Sequence, residues 1–334
     1  MTEILNITES EYRGLPMPSY SLLKKLDDSG PRSVNRKHVL DSEAIDFGSL
    51  LDCRLLCPSE FNNKFYFDAT EKPTGQVLDL ADYIFNNVPD VVSEDNDELD
   101  ILTVNKISSD LNLFGSIKDL DKRIAKFNND LFWNYLKAKQ DAAGKIVFTP
   151  DTLQEVNDAE QILKTHPKTA HLFTPTKGVE VMTQVMIVSE VSGIVTKIMI
   201  DYLRIDHNNK VITPYDLKTT DVRQANFPQH FKKMKYYLQG GLYKLGLINY
   251  CRDVLQIGYA IDDFKFIVYS RSDKYPFIWN MGYDWHLMAL NGFIGDNGQY
   301  VKGLYKLLEE YQFYVENDFY EIDKCFVENE MLEL

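Results

Sequence analysis

The chain reads as an α/β protein of the α+β kind, with one mixed central sheet flanked by helices, a helical N-terminal elaboration and a helical C-terminal tail. Three observations predict this. Residues 178–220, GVEVMTQVMIVSEVSGIVTKIMIDYLRIDHNNKVITPYDLKTT, alternate and are rich in β-branched side chains, the pattern of neighbouring strands. A helical segment follows and feeds two further strand-like runs, VLQIGYAID and FKFIVYS, which is the order of a chain that leaves a sheet and returns to it. The first half and the last sixty residues show mainly helical spacing.

Element by element, the stretch MPSYSLLKKLDDSGP offers Ser19 or Ser21 as an N-cap, an apolar stripe at Leu22, Leu23 and Leu26, and a stop at Gly30-Pro31. Ala44, Phe47, Leu50, Leu51 and Leu55 recur at helical spacing before Pro58 ends the run. An acidic stretch, VPDVVSEDNDELD, reads as a solvated loop or helix face before the helical LNLFGSIKDLDKRIAKF. KAKQDAAGKIVF turns into a short strand, and TPDTLQEVNDAEQILKTHP is a helix capped at Thr149 or Asp151 and closed by Pro167. Strands are then expected at about 179–188, 194–205 and 210–218, joined by turns at Ser192-Gly193 and His207-Asn208-Asn209. HFKKMKYYLQGGLYKLGLI reads as one helix and YVKGLYKLLEEYQFYVENDFY as a long amphipathic one. The division expected is a helical region over 1–170 that contributes to an active-site cleft and a core over 171–334.

Composition narrows the function classes. Apolar residues make up 44% and charged residues 26%, as in globular proteins that bury a large core. The 20 Tyr and 19 Phe serve packing first, and aromatic rings are also platforms for unpaired bases. Fifty acidic against 36 basic residues leave a net charge of −14. That balance counts against a protein coated for nucleic acid, yet it is compatible with a local basic groove. Cys53, Cys57, Cys251 and Cys325 contain no CxxC pair, and ordinary reduced thiols are expected rather than a zinc or iron–sulfur site. The polar, acidic start MTEILNITES and the absence of an apolar run of membrane-spanning length predict a cytoplasmic protein with no membrane partner.

The chemistry concentrates at Asp201 and at Pro214-Tyr215-Asp216-Leu217-Lys218. Asp201 ends the apolar run IMID, and Asp216 and Lys218 follow fifteen and seventeen residues later, across a tight hairpin. Side chains alternate along a strand, so Asp216 and Lys218 share one face, and the hairpin can bring Asp201 beside them. Two carboxylates and the Leu217 carbonyl form a hard oxygen set suited to Mg²⁺ or Mn²⁺. A lysine beside such an ion can orient or deprotonate water. The plainer reading of Asp-x-Lys alone is an ion pair on a half-exposed strand. Gln239 and Tyr243, four residues apart on the next helix, share a helical face.

The arrangement D-x₁₄-D-L-K-T-T resembles the signature of the PD-(D/E)XK nuclease superfamily, in particular its RecE and lambda-exonuclease-like branch. The resemblance covers roughly residues 15–70 and 175–325. It implies a restriction-endonuclease-like core and a metal-dependent DNA exonuclease that hydrolyses phosphodiester bonds from duplex ends in phage-type recombination, in a host cytoplasm if phage-encoded. Asp201, Asp216 and Lys218 would be catalytic, with metal ligation by Asp201, Asp216 and Leu217. Gln239 and Tyr243 match the family's Q-x-x-x-Y motif, whose residues contact DNA near the metal. An acidic residue on the first strand of the meander joins the family's metal site, and Glu180 is the candidate, with Glu190 as its rival beside a turn. The N-terminal pattern A-x-x-x-G-x-x-x-H reads Ala44 to Asp52 here, so Asp52 stands where the family carries a metal-ligating His. Lys232 and Lys235, with Lys233, lead to Gln239 as DNA-binding candidates, and Lys24, Lys25, Arg32, Arg36, Lys37 and His38 form a second basic group. The resemblance further implies a homo-oligomer that encircles DNA and a single-strand-annealing protein as partner. Two other readings remain open: a catalytically impaired nuclease-fold module that binds DNA or protein, and a structure-specific endonuclease.

Overall fold

In the computed structural model, residues 2–35, 47–88, 101–142 and 144–328 are described. Arg36, Lys37, His38 and Ala44 lie outside the described residues. The meander expected around residues 178–220 is the spine of the fold. Val179–Val191 (β2) and Ile194–Asp206 (β3) pair antiparallel along their length, and the two-residue turn between them places Ser192 at φ 52° and Gly193 at φ 80°. Positive φ at both central residues is the geometry that matches the twist of paired strands. Val211–Thr220 (β4) pairs with β3 after a second turn. There the Asp206 carboxylate accepts from the Asn208 and Asn209 N–H groups at 3.1 and 3.0 Å.

Past β4 the chain crosses over through Phe227–Lys233 (α3) and Tyr236–Tyr250 (α4) and returns as a parallel neighbour. Phe264–Ser270 (β6) pairs parallel with β4, and Tyr275–Met281 (β7) pairs antiparallel with β6. Thr2–Ile4 (β1) lies on the far side of β2, and Ala260–Ile261 (β5) adds a short parallel pair to β4. The resulting seven-stranded mixed sheet has the order β1-β2-β3-β4-β6-β7, in agreement with the expected α/β class.

Two compact units divide the chain. The first comprises residues 1–40, 54–57 and 159–334, and the second comprises 41–53 and 58–158. The boundary therefore differs from a split at 170. The N-terminal residues join the core because β1 takes a place in its sheet and because Tyr20 and Leu23 of Tyr20–Ser29 (α2) are buried in its apolar centre. The shorter helix Glu9–Gly14 (α1) has a capping box at Thr8 and Glu11, and the buried Lys197 ammonium donates to three carbonyls at and after its last turn, of Tyr12, Arg13 and Leu15, at 2.9, 3.0 and 2.6 Å. A cation on orphan carbonyls complements the helix dipole.

The second unit has its own core. Leu80, Ala81, Ile84, Val104, Phe127, Phe132 and Leu136 are buried together, contributed by helices Gln76–Asn87, Ile101–Asp110, Leu120–Phe127 and Asp130–Ala142. Phe65–Phe67 and Ile146–Phe148 form a small parallel pair.

Helix α4 is the central support of the sheet, with Leu238, Leu242 and Leu247 fully buried in the core. Gly241 permits its close approach to Tyr283–Asn291 (α5): a Cβ there would stand 2.7 Å from the Ala289 Cβ. Gly241→Ala is expected to lower stability by about 1–3 kcal/mol through overpacking, despite the better helix propensity of Ala. Chemical denaturation with an unchanged m-value checks this.

Three expected elements differ. The single helix over 230–248 breaks at Met234-Lys235, where Lys235 adopts φ 55°. The expected strand VLQIGYAID is a π-turn, Cys251–Leu255, followed by only two strand residues, since Gln256 turns left-handed at φ 50°. The C-terminal sixty residues are not all helical: they open with β7, whose Pro276 is compatible with a strand at the sheet edge. Leu304–Asn317 (α6) matches the expected long helix.

Candidate active site

The register of β3 and β4 explains how the two aspartates meet. The last paired residues are Tyr202 and Tyr215. One step further the register would set Asp201 opposite Asp216, and there the ladder ends. The Leu217 N–H, freed from strand pairing on that side, donates to Asp201 Oδ2 at 2.9 Å. N–H and C=O of one strand residue point to the same edge, so the Leu217 carbonyl faces the same gap. Like charges directly opposite on neighbouring strands destabilise a sheet, and this pair is buried as well.

Asp216 is 1% exposed. Its Oδ2 lies 2.6 Å from Lys218 Nζ, and its Oδ1 accepts from Gln239 Nε2 at 2.5 Å. Burial, then the neighbouring Asp216, push the Asp201 carboxyl well above the usual carboxylate range, although Lys218 and the Leu217 N–H pull the other way. Burial alone would lower the Lys218 ammonium, but the two aspartates outweigh it and hold it firmly protonated. Lys218 Nζ also lies 4.9 Å from the centre of the Tyr236 ring, in cation–π range. Tyr243, one turn beyond Gln239 on α4, is buried beside both aspartates, and burial raises its phenol strongly. Tyr20 completes the wall, with its hydroxyl donating to the Met234 carbonyl at 2.7 Å.

The structure therefore brings together Asp201, Asp216, Lys218, Gln239 and Tyr243 and adds Tyr20 and Tyr236. The sequence carried a signal for both additions, since Tyr20 starts the helix after Ser19 and Tyr236 precedes the Y-L-Q run. Neither tyrosine stands out in the sequence, because aromatic residues in helices are most often core.

Glu180 lies elsewhere on the sheet. Glu180 faces Ile205 in the register, four residues and so about 13 Å along the strand from the level of Asp201. Its carboxylate instead meets His207 Nε2 at 3.2 Å, on the exposed surface. Glu180 is not part of the cluster, because the hairpin is long and Asp201 sits near its middle. The β2 residue at the level of Asp201, between the pairs Thr183–Tyr202 and Val185–Ile200, is Gln184. Asp52 belongs to the second unit, half-buried on the helix Phe47–Leu56.

Lys235 is also reassigned. It pairs with Asp27 and, at 2.6 Å, with Asp28, and these partners raise its ammonium against the effect of burial. Its charge is used to tie α2 to the start of α4, which leaves none for a phosphate. Lys235→Ala is expected to cost about 1–3 kcal/mol of stability, the worth of charged hydrogen bonds left unmade. A lowered melting temperature with unchanged DNA affinity checks this. Lys232 keeps an exposed ammonium, with a loose contact to the fully exposed Asp296 at 3.3 Å, and remains available to an anion.

The donor set fits a hard divalent cation. Among the described residues no three His, Cys, Asp or Glu side chains form a metal-ligating group, and an ion at this spot would have the two aspartates and the Leu217 carbonyl as protein ligands. That is a normal complement for Mg²⁺, which keeps several waters. Asp216 Oδ2 faces the Lys218 ammonium at 2.6 Å, while the buried Gln239 Oε1 has no well-aligned hydrogen-bond donor among the described residues. The chain matches no protein-family model, and no curated protein matches it in sequence.

Proposed function

We propose that this chain is a Mg²⁺- or Mn²⁺-dependent deoxyribonuclease that hydrolyses phosphodiester bonds from the ends of duplex DNA. One observation carries the reading: two buried aspartates opposed where β3 and β4 part, with a lysine and a glutamine on the same carboxylate. Such a like-charged buried pair raises the energy of the metal-free fold, and structural reasons alone do not account for it. Perturbed carboxyl groups beside a specific charge partner are a mark of functional sites.

Asp201, Asp216 and the Leu217 carbonyl would hold the ion. When bound, it supplies an acidified water and charge neutralisation at phosphorus. Lys218, anchored on Asp216 and on the Tyr236 face, would present an N–H to the attacking water or to a phosphate oxygen. Its raised ammonium makes it a donor that orients, rather than a base that takes a proton. Gln239 keeps Asp216 in place through its amide, and Tyr243 and Tyr20 close the rear against bulk water. Lys232 contributes to holding the phosphate backbone of the DNA. A homo-oligomer that surrounds the duplex would place such a site inward and reconcile it with a net charge of −14.

The test is digestion of linear and of closed-circular duplex in Mg²⁺, with Asp216→Ala as the inactive control. End-dependent digestion that the variant lacks is the expected result. Cleavage of circles would assign a structure-specific endonuclease. Absence of metal-dependent cleavage on any DNA would leave the binding-module reading, which the displaced Glu180 favours.

A further inference from the structure

A line of aromatic rings starts beside Lys218 and ends at the sheet edge. Tyr236, next to the Lys218 ammonium, stands 6.3 Å from Phe227, and Phe227 stands 5.5 Å from Trp279. Trp279, Phe277 and Tyr275 then follow on β7 with successive ring separations of 5.9 Å. Alternate residues of a strand share a face, and the register sets this face: Trp279 pairs with Phe266 and Phe277 with Val268, which in turn pair with Asp216 and Lys218. The stripe thus runs on the face of the sheet that carries the candidate site, two strands away, about 10 Å across.

The outer part of the stripe is not core. Tyr275 is 39% and Phe277 37% exposed, on a strand that ends the sheet. Two lysines and a histidine line it. Lys168 Nζ lies 5.8 Å from the Phe277 ring centre and makes no ion pair among the described residues. The His166 ring meets Tyr275 edge-on at 4.3 Å, and Lys274, in the turn before β7, is exposed. Two carboxylates lie at this end, and each has a cationic partner: Asp273 pairs with Arg223 at 3.1 Å and accepts from the Gln224 N–H at 2.7 Å, and Asp221 pairs with Arg271 at 3.3 Å. Rings with interspersed cations, in a chain whose net charge is −14, make a surface that recruits a polyanion through π-faces more than through overall charge.

We infer that Tyr275, Phe277 and Trp279 with Lys168 form a stacking platform for single-stranded nucleic acid, which holds an unpaired strand at a duplex end next to the candidate site. This rests on the nuclease reading for the role of the strand, though not for its binding. Ring separations of 5.9 Å exceed the roughly 3.4 Å rise per nucleotide of a duplex strand, so they suit bases drawn apart rather than bases in a helix. Stacking on exposed rings tolerates any sequence, as end processing requires.

The experiment is anisotropy of a short fluorescein-labelled oligo(dT) titrated with the full chain in EDTA, so that binding is read without turnover. Tyr275→Ala and Phe277→Ala are each expected to weaken binding by roughly tenfold. Both rings are half-exposed, and circular dichroism should show intact folds. Phe277→Leu keeps apolar bulk and removes only the π-face, and it should behave like the alanine variant. Lys168→Ala is expected to reduce the slope of log affinity against log salt by about 0.7. Wild-type affinity in the ring variants, or in Phe277→Leu, would overturn the proposal. It would also be overturned if the ring variants only converted a wild-type dimer to monomer, which would make the stripe an interface between copies. An oligo(dT)-binding protein that digests no DNA would refute the nuclease reading alone, and an active nuclease with unaffected ring variants would refute this one alone.

Discussion

Lys218→Ala is expected to lower Mg²⁺-dependent DNA hydrolysis by about 10²–10⁴-fold, the usual weight of a positioned group that acts on water in the transition state. On the nuclease reading proposed above, the residue has two jobs that the substitution removes together. It supplies a fixed N–H at the reacting end of the site, and it balances a carboxylate that is 1% exposed. Loss of one partner of a buried pair costs about 3–5 kcal/mol, so the rate must be compared at equal folded fraction, with circular dichroism recorded in the same Mg²⁺ buffer. Lys218→Arg separates the two jobs. The guanidinium keeps the charge beside Asp216 and on the Tyr236 ring, but its larger planar fork does not set a compact ammonium N–H at the same point. Restored stability without restored turnover is the expected split. Full activity in Lys218→Ala would remove this residue from the chemistry.

Asp201→Asn should make the metal-free protein more stable while abolishing its response to metal. The carboxyl of Asp201 is raised in the fold by burial and by Asp216. A raised folded value means that stability is fully present at pH below the ordinary aspartate value, and is lost as pH rises through the folded value. At neutral pH the metal-free wild type therefore carries a penalty. Asparagine lacks that penalty at every pH, and its side-chain oxygen can still accept from the Leu217 N–H. A gain of about 0.5–2 kcal/mol is expected, typical of relief at a strained functional site. Differential scanning fluorimetry in EDTA across pH should show the variant above the wild type at neutral pH, with the two curves converging in acid. With Mg²⁺ or Mn²⁺ the order should reverse, because the ion requires deprotonated ligands and binds more tightly as pH rises. A variant less stable than wild type at neutral pH, or one that keeps its metal-induced shift, would contradict a cation site at these residues.

Much of this was legible in the chain. The three-strand meander, its turns at Ser192-Gly193 and His207-Asn208-Asn209, and the helices at 20–29, 150–165 and 304–317 follow from local periodicity, capping and turn chemistry. Asp216 and Lys218 share a face because strand side chains alternate, and Gln239 and Tyr243 share one because helical residues four apart do. These are short-range rules, so a sequence suffices to apply them.

The remainder depended on register and on distant neighbours. Which β2 residue meets Asp201 is set by the length of a hairpin, and the count places Gln184 there and sends Glu180 to His207. Lys235 has the composition of a phosphate binder, but Asp27 and Asp28, about two hundred residues away, take its charge. β1 and β7 are too short or too irregular to declare themselves, and they exist because a sheet with open edges accepts them. The triad of Asp201, Asp216 and Lys218 was therefore nameable from the sequence as a set of residue types at the right spacing. Its burial, the opposition of its two carboxylates, and the aromatic stripe that leads from it came only from the tertiary structure. Dielectric environment and cross-strand contact are properties of the packed sheet, not of any one segment.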